Sequence, residues 1–330
     1  MDRFLGVEAS PGQKACQRVQ VGEYSDGSSV TIPVAVISGV APGRTLYVQA
    51  GVHGDEYTGT DIAWRLIQEI DPARLSGTLV VVPIANVPSY LTRSRGFMLE
   101  ERILQDANRL YPGNPSGLLT ERIVAALFQG FVKHSDLTVD IHCPLDGSSM
   151  VTFMHVGIDD DSDGWFDLRE RSAKAFSAPF LYYRKAGTKI GSSDMTKSIA
   201  VQAELAGKAV IMAELGTSRA ISREASDQGV QGFLRVMASM GMLQDAPLSD
   251  RLVEGRRFSK INLVHANRGG GLRMKVALGA DVMPGDELGV IVDAFGATVE
   301  TIVATTEGFV MRLMTYGAIA SGAEVAWIGN

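Results

Sequence analysis

His53 and Glu56, in Val52-His53-Gly54-Asp55-Glu56, stand three residues apart where a strand gives way to a helix. One turn of helix brings such a pair to the same side of the chain. His142, closing Val139-Asp140-Ile141-His142, offers a third donor. Two imidazoles and one carboxylate form the ligand set of a catalytic zinc site with one position left for water. Taken alone, H-x-x-E also describes a loop histidine followed by a glutamate that the helix dipole favours. Gly51 and Gly54 weigh toward a site, because glycine allows the close backbone approach a site needs. Asp140, two residues before His142, is a candidate outer partner, since a ligating histidine usually donates its second N–H to a carboxylate or carbonyl. Alternation along a strand leaves Asp140 equally free to face a helix dipole or an arginine. The rival histidines rank lower. His134 sits at a helix end, where histidine caps carbonyls. His155 lies mid-strand without a carboxylate companion, and His265 falls in the C-terminal β region.

Glu214 interrupts the apolar run Met212-Ala213-Glu214-Leu215. An acid there is costly unless it is paired or working. Beside a metal-activated water it would serve as a general base and then return the proton to a leaving amine. The other reading is a buried salt bridge to an arginine. Asn108-Arg109 precede the turn Leu110-Tyr111-Pro112-Gly113. Arginine there can clamp a substrate carboxylate bidentately with the asparagine adding a hydrogen bond. Without other evidence, Arg109 reads as a surface residue.

The elements that must position these groups follow from periodicity. Ala15–Val21 and Ser29–Ile37 read as strands around the turn Ser25-Asp26-Gly27-Ser28. Leu46–Ala50 reads as a buried strand delivering His53. Tyr57–Ile70 has helical spacing and ends at Asp71-Pro72. Leu79–Ile84, Leu137–Ile141, Met150–His155 and Ala209–Leu215 read as strands, and Thr120–Val132, Gly164–Ala175 and Glu224–Met240 as helices. This alternation predicts an α/β fold: a mostly parallel or mixed sheet covered by helices on both faces. His53, His142 and Glu214 each fall at a C-terminal strand end, the edge where such sheets bind ligands. From about Asp250 short β-like runs alternate with glycines, as in Pro284-Gly285-Asp286 and Ser321-Gly322-Ala323. We therefore expect a catalytic α/β domain over 1–250 and a small all-β barrel or sandwich over 251–330.

Composition narrows the function classes. With 45% hydrophobic and 21% charged residues, the chain is an ordinary soluble globular sequence. A net charge of −6 argues against a nucleic-acid surface. Two cysteines make neither a disulfide framework nor a cysteine-rich zinc module, so a reduced cytoplasmic setting is expected. No apolar segment approaches membrane-spanning length, and MDRFLGVEASPG has no secretory h-region.

Four motifs in order resemble the succinylglutamate desuccinylase/aspartoacylase family, relatives of the zinc carboxypeptidases. They are Gly51-Val52-His53-Gly54-Asp55-Glu56, Asp106-Ala107-Asn108-Arg109-Leu110-Tyr111-Pro112-Gly113, Asp140-Ile141-His142 and Ala213-Glu214-Leu215-Gly216. The glycine-rich tail is similar to the family's C-terminal domain. The resemblance implies one zinc per chain on His53, Glu56 and His142, Glu214 as base, and Asn108 with Arg109 as carboxylate clamp. It implies a further arginine polarising the scissile carbonyl. Arg93, Arg95 and Arg102 compete for that role, and Arg102 is the leading choice. It also implies a tail tyrosine in substrate binding, for which Tyr316 is the candidate. The expected reaction is removal of an acetyl or succinyl group from an N-acyl amino acid. The rivals are a metallo-carboxypeptidase acting on short peptides and a non-catalytic binding protein on the same fold. A small-molecule substrate is the expected partner, with no nucleic acid or membrane, and an exposed β domain offers a surface for self-association.

Overall fold

Runs such as Leu79–Ile84 are apolar at every position, which is how strands covered on both faces must read. The computed structural model describes residues 1–100, 106–145, 147–159, 164–184, 194–244 and 253–330. Its first elements are β1 (Gln13–Glu23), β2 (Ser29–Ser38), β3 (Ala41–Gln49), α1 (Tyr57–Glu69), β4 (Ser76–Val82), α2 (Val87–Thr92), α3 (Leu119–Gly130) and β5 (Leu137–His142). There follow β6 (Ser148–Met150), β7 (Phe153–Ile158), α4 (Phe166–Phe176), β8 (Phe180–Arg184), α5 (Ile199–Leu205), β9 (Ala209–Glu214) and α6 (Arg223–Ser239). The C-terminal part is β10 (Arg256–Phe258), β11 (Ile261–His265), β12 (Gly270–Met274), β13 (Asp281–Val282), β14 (Glu287–Val292), β15 (Thr298–Val303), β16 (Gly308–Met314), β17 (Ala318–Ile319) and β18 (Glu324–Gly329).

One mixed sheet has the order β1-β2-β4-β3-β5-β9-β7-β8-β10. At its centre β4, β3, β5 and β9 are parallel, while β1, β2 and β7 introduce the antiparallel pairings. Alternate residues sort to opposite faces. Leu46, Val48, Leu79, Val81, Val139 and Ile211 pack with Ile62, Leu66, Phe176 and Phe233 of α1, α4 and α6. Tyr47, Val80, Val82 and Val210 pack with Ile123, Leu127 and Ile199 of α3 and α5 on the other side. Each such fully buried side chain contributes roughly 1.5–3 kcal/mol relative to exposure. The α/β architecture with helices on both faces is as the sequence pattern predicts.

The C-terminal strands form two antiparallel sheets, β11-β18-β16-β13 with β6 added on β16, and β15-β14-β12-β17. They enclose their own core of Val264, Leu288, Ile291, Val310 and Ile328. The segment Met150–His155, which reads as one strand, is two. Val151 donates its N–H to the Met311 carbonyl. The chain there leaves the β16 sheet as β6 and enters the large sheet as β7. The short α2 and α5 carry no long periodic pattern. They are instead set by their caps, with Asn86 Oδ1 accepting from Ser89 N–H and Ser198 Oγ from Val201 N–H.

An aromatic cluster of Phe153, Tyr182, Phe258 and Phe309 joins the edge of the large sheet to β16. Phe309 stacks on Phe180 with centroids 4.2 Å apart and meets Phe258 edge-on at 5.2 Å. No helix among the described residues is long and apolar enough to cross a membrane. Phe309 is fully buried. Phe309→Ala should therefore lower unfolding free energy by about 3–5 kcal/mol, read by chemical denaturation. A loss below about 1 kcal/mol would show that this seam holds nothing together.

Candidate metal centre

β3, β5 and β9 are adjacent and parallel, so their C-terminal ends open on one edge. The chain leaving β3 turns at Gly51, whose φ is +65°, and lies against α2 at Gly54. A Cβ on Gly54 would stand 2.0 Å from the Ser89 carbonyl carbon, so only glycine lets the loop sit there. His53 and Glu56 are carried by this turn, with Glu56 immediately ahead of α1 and its N–H donating to the His53 carbonyl. His142 is the last residue of β5. All three are 2% exposed.

The three side chains converge. His53 Nδ1 is 2.7 Å from Glu56 Oε1, and His142 Nδ1 is 3.0 Å from Glu56 Oε2. One candidate ligand atom from each lies within 4.8 Å of the others, a group that could hold a metal ion. The outer ring nitrogens each meet a second carboxylate. His53 Nε2 is 3.0 Å from Asp106 Oδ1, and His142 Nε2 is 2.7 Å from Asp140 Oδ2. Paired imidazoles aimed inward by Nδ1 and anchored outward by carboxylates are how proteins orient metal-binding histidines. The anchors are themselves held. Gln49 Nε2 donates to Asp140 Oδ1 at 2.9 Å and to the Tyr111 hydroxyl at 3.0 Å, and Arg95 grips Asp106 Oδ2 through Nε and Nη2.

Electrostatics describe a site built for positive charge. Burial opposes ionisation of Glu56, but the two imidazoles outweigh it and hold the carboxyl well below the usual range. Burial likewise opposes charge on His142, yet Asp140 and Glu56 raise it well above an ordinary histidine. Those same carboxylates would favour a divalent cation, whose binding releases the imidazole protons.

Glu214 is the in-register partner of His142 across β5 and β9. Its neighbours Ala213 and Leu215 enter the helix-covered core, so Glu214 faces the opposite side with Met212. Its Oε2 is buried without a hydrogen-bond partner. Burial, with Glu56 adding to it, pushes its carboxyl up to about 8. These neighbours describe a carboxyl kept available for a proton.

The remaining candidates fall as follows. Asn108 is buried, with Oδ1 accepting from the Ile199 N–H and Nδ2 3.4 Å from His142 Nε2. Arg109 lines the cavity and stands 3.8 Å from Asp106 Oδ2. Arg102 lies outside the described residues. Of its two competitors, Arg93 is an exposed left-handed residue capping α2, while Arg95 Nη1 is 3.7 Å from Glu56 Oε1. Tyr316 is half-exposed, its ring over Gly147, and is not among the residues lining the cavity. His134 and His265 belong neither to the cavity lining nor to the metal set, whereas His155 lines the same cavity without joining the metal set. The cavity holds about 220 Å³, and Arg312 and Trp327 of the C-terminal sheet complete its wall. Sequence reasoning gave Asp106 no role, although it heads the Asp106-Ala107-Asn108-Arg109 motif. Arg312 carries no local signal, because only long-range strand pairing brings it here.

Residues 42–240 match the model of the succinylglutamate desuccinylase/aspartoacylase catalytic domain. The chain is 28% identical over 215 residues to the N-alpha-acetyl-L-2,4-diaminobutyric acid deacetylase of Halomonas elongata, covering 64% of this chain and 60% of that protein. The apo structure of the ectoine utilization protein EutE of Ruegeria pomeroyi is 27% identical, covers 92% of this chain and 90% of its own, and superposes with a TM-score of 0.76. A succinylglutamate desuccinylase/aspartoacylase structure from Rhodobacter sphaeroides, 21% identical, shares the fold with a TM-score of 0.82 over 98% of this chain and 97% of its own.

Removing the charge of the outer anchor should loosen the centre. Asp106→Asn is expected to weaken binding of a divalent metal ion by about 10- to 100-fold, measured by competition with a chromogenic chelator. Unchanged affinity would show that the Asp106 contact does not support the site.

Proposed function

We propose, since the chain belongs to the succinylglutamate desuccinylase/aspartoacylase family, that it is a zinc-dependent amidohydrolase releasing an acetyl or succinyl group from an N-acyl amino acid. The observation that carries this reading is the buried His53–Glu56–His142 set with the unpartnered Oε2 of Glu214 on the adjoining strand. The residues fit the ion: two nitrogen donors and a carboxylate, each imidazole backed by a carboxylate, are a donor set that zinc accepts. Bound there, zinc supplies Lewis-acid polarisation of a carbonyl and of an attacking water.

The chain's own residues account for the rest. Glu214 takes the proton of the attacking water on its free oxygen and delivers it to the departing nitrogen. Burial raises this carboxyl above the ordinary glutamate range, which favours its holding a proton between the two transfers. Arg95 directs a guanidinium toward the triad and opposes the negative charge that gathers on the carbonyl oxygen, a form of stabilisation typically worth a few kcal/mol per donor. Arg109, on the cavity wall, binds the substrate carboxylate, and Asn108 ties that wall to the start of α5. His53, Glu56 and His142 are themselves buried, so charges placed against them act at short range with little screening.

Two measurements test this. Glu214→Gln should keep stoichiometric zinc by elemental analysis yet lose turnover by at least about 100-fold on a panel of N-acetyl and N-succinyl amino acids. Retained turnover would remove Glu214 from the base role, and turnover of short peptides alone would favour a carboxypeptidase. Chelation should abolish activity, and zinc restored at 100-fold over its Kd should add about 2.7 kcal/mol of stability in thermal or denaturant melts. Full activity after verified zinc removal would overturn the metal assignment.

A further inference from the structure

The large sheet carries a second cross-strand row beneath the one that holds the candidate base. Asp140, Met212, His155, Tyr182 and Phe258 stand in register across β5, β9, β7, β8 and β10. This row lies two residues, about 6.6–6.8 Å, from the row containing His142, Glu214 and Phe153. Met212, His155 and Tyr182 line the same cavity as the triad, and so does Arg184. The cavity therefore continues past Glu214 into a pocket floored by the sheet.

That pocket is polar where a core should be satisfied. His155 Nε2, Tyr182 Oη and Arg184 Nε are all buried without a hydrogen-bond partner. The three residues are 8%, 2% and 7% exposed. Buried polar side chains nearly always find partners, so these three, with Glu214 Oε2 and Arg312 Nε on the same cavity, are informative. Their positions are fixed by their other contacts. His155 Nδ1 lies 3.5 Å from Met212 Sδ, and its ring centroid is 5.0 Å from that of Tyr182. Arg184 directs Nη2 to Glu204, leaving Nε. Burial, together with Arg184 and Arg169, depresses the His155 imidazole to about 3, so it is neutral at ordinary pH. The Arg184 guanidinium on the same lining opposes a second positive charge there, an alkylammonium included. A hydroxyl and a guanidinium N–H supply donors, and the neutral imidazole completes the lining.

We propose that the His155–Tyr182–Arg184 pocket is a specificity subsite: it receives the far end of an N-acyl amino acid bearing a hydrogen-bond-accepting carboxamide or carboxylate, and it rejects an alkylammonium. The proposal rests on the deacylase reading for its substrate class. The accepting group can be borne by the amino-acid side chain or by the acyl chain, and the assay separates the two.

Zinc-loaded wild type and Tyr182→Phe are compared on N-acetylglutamine, N-acetylglutamate, N-acetylnorvaline, N-succinylnorvaline and Nα-acetylornithine. Wild type should favour at least one acceptor-bearing compound over N-acetylnorvaline, with Nα-acetylornithine the poorest. Tyr182→Phe should shrink that kcat/KM ratio by about 2- to 10-fold, the worth of one neutral hydrogen bond. A preference for the glutamine or glutamate compounds assigns the pocket to the side chain, and a preference for the succinyl compound assigns it to the acyl group. An unchanged ratio in Tyr182→Phe, or Nα-acetylornithine as the best substrate, overturns the proposal. If every compound is inert, the deacylase reading itself fails. The pocket is then judged by calorimetric Kd values for the same compounds on the two proteins, where the same shift in ratio supports it and its absence overturns it.

Discussion

A single carboxylate buried between two imidazoles governs the centre of this molecule. Glu56 offers one oxygen to His53 and the other to His142. With only those three groups, the low-dielectric interior would leave charge poorly matched. The protein meets this with layers: Asp106 and Asp140 behind the histidines, then Arg95, Gln49 and Tyr111 behind the aspartates. Each layer satisfies the polar atoms of the one inside it. The outermost tyrosines, Tyr47 and Tyr111, sit in the apolar core between the sheet and α3. The hydrophobic packing of that face thus fixes imidazole orientation several bonds away.

The sheet supplies the geometry that makes this arrangement reachable. Parallel strands β3, β5 and β9 end level with one another, so three segments far apart in sequence deliver donors to one edge. Strict alternation then sends Glu214 and Met212 to one face while Ala213 and Leu215 seal the other. A single-residue slip of β9 against β5 would bury the glutamate beneath α1 and α6.

Much of this was legible in the residues. Strand ends at His53, His142 and Glu214 could be read because buried strands announce themselves as apolar runs and because donors at their ends are chemically conspicuous. Asp140 was legible from its two-residue spacing to His142. Asp106 was not, since nothing local says that a residue far along the chain will reach the outer nitrogen of His53. The same holds for Arg312 and Trp327, which arrive through antiparallel pairing in the C-terminal sheet. The pocket around His155 was hidden for a different reason. A strand histidine flanked by apolar residues looks like ordinary core, and its neighbours Met212 and Tyr182 are set by cross-strand register rather than by sequence proximity.

The chain passes between its two strand systems more than once. β6 departs from the upstream half to pair with β16, and β10 comes back to complete the edge of the large sheet. During synthesis, then, β6 must wait unpaired on its principal side until residues beyond 300 have left the ribosome. The wall containing Arg312 and Trp327 is made only after the strands of the large sheet that it faces. Shortened products lacking the tail would expose the Phe153–Tyr182–Phe258 aromatic seam to solvent, a surface that quality-control proteases and chaperones are equipped to recognise.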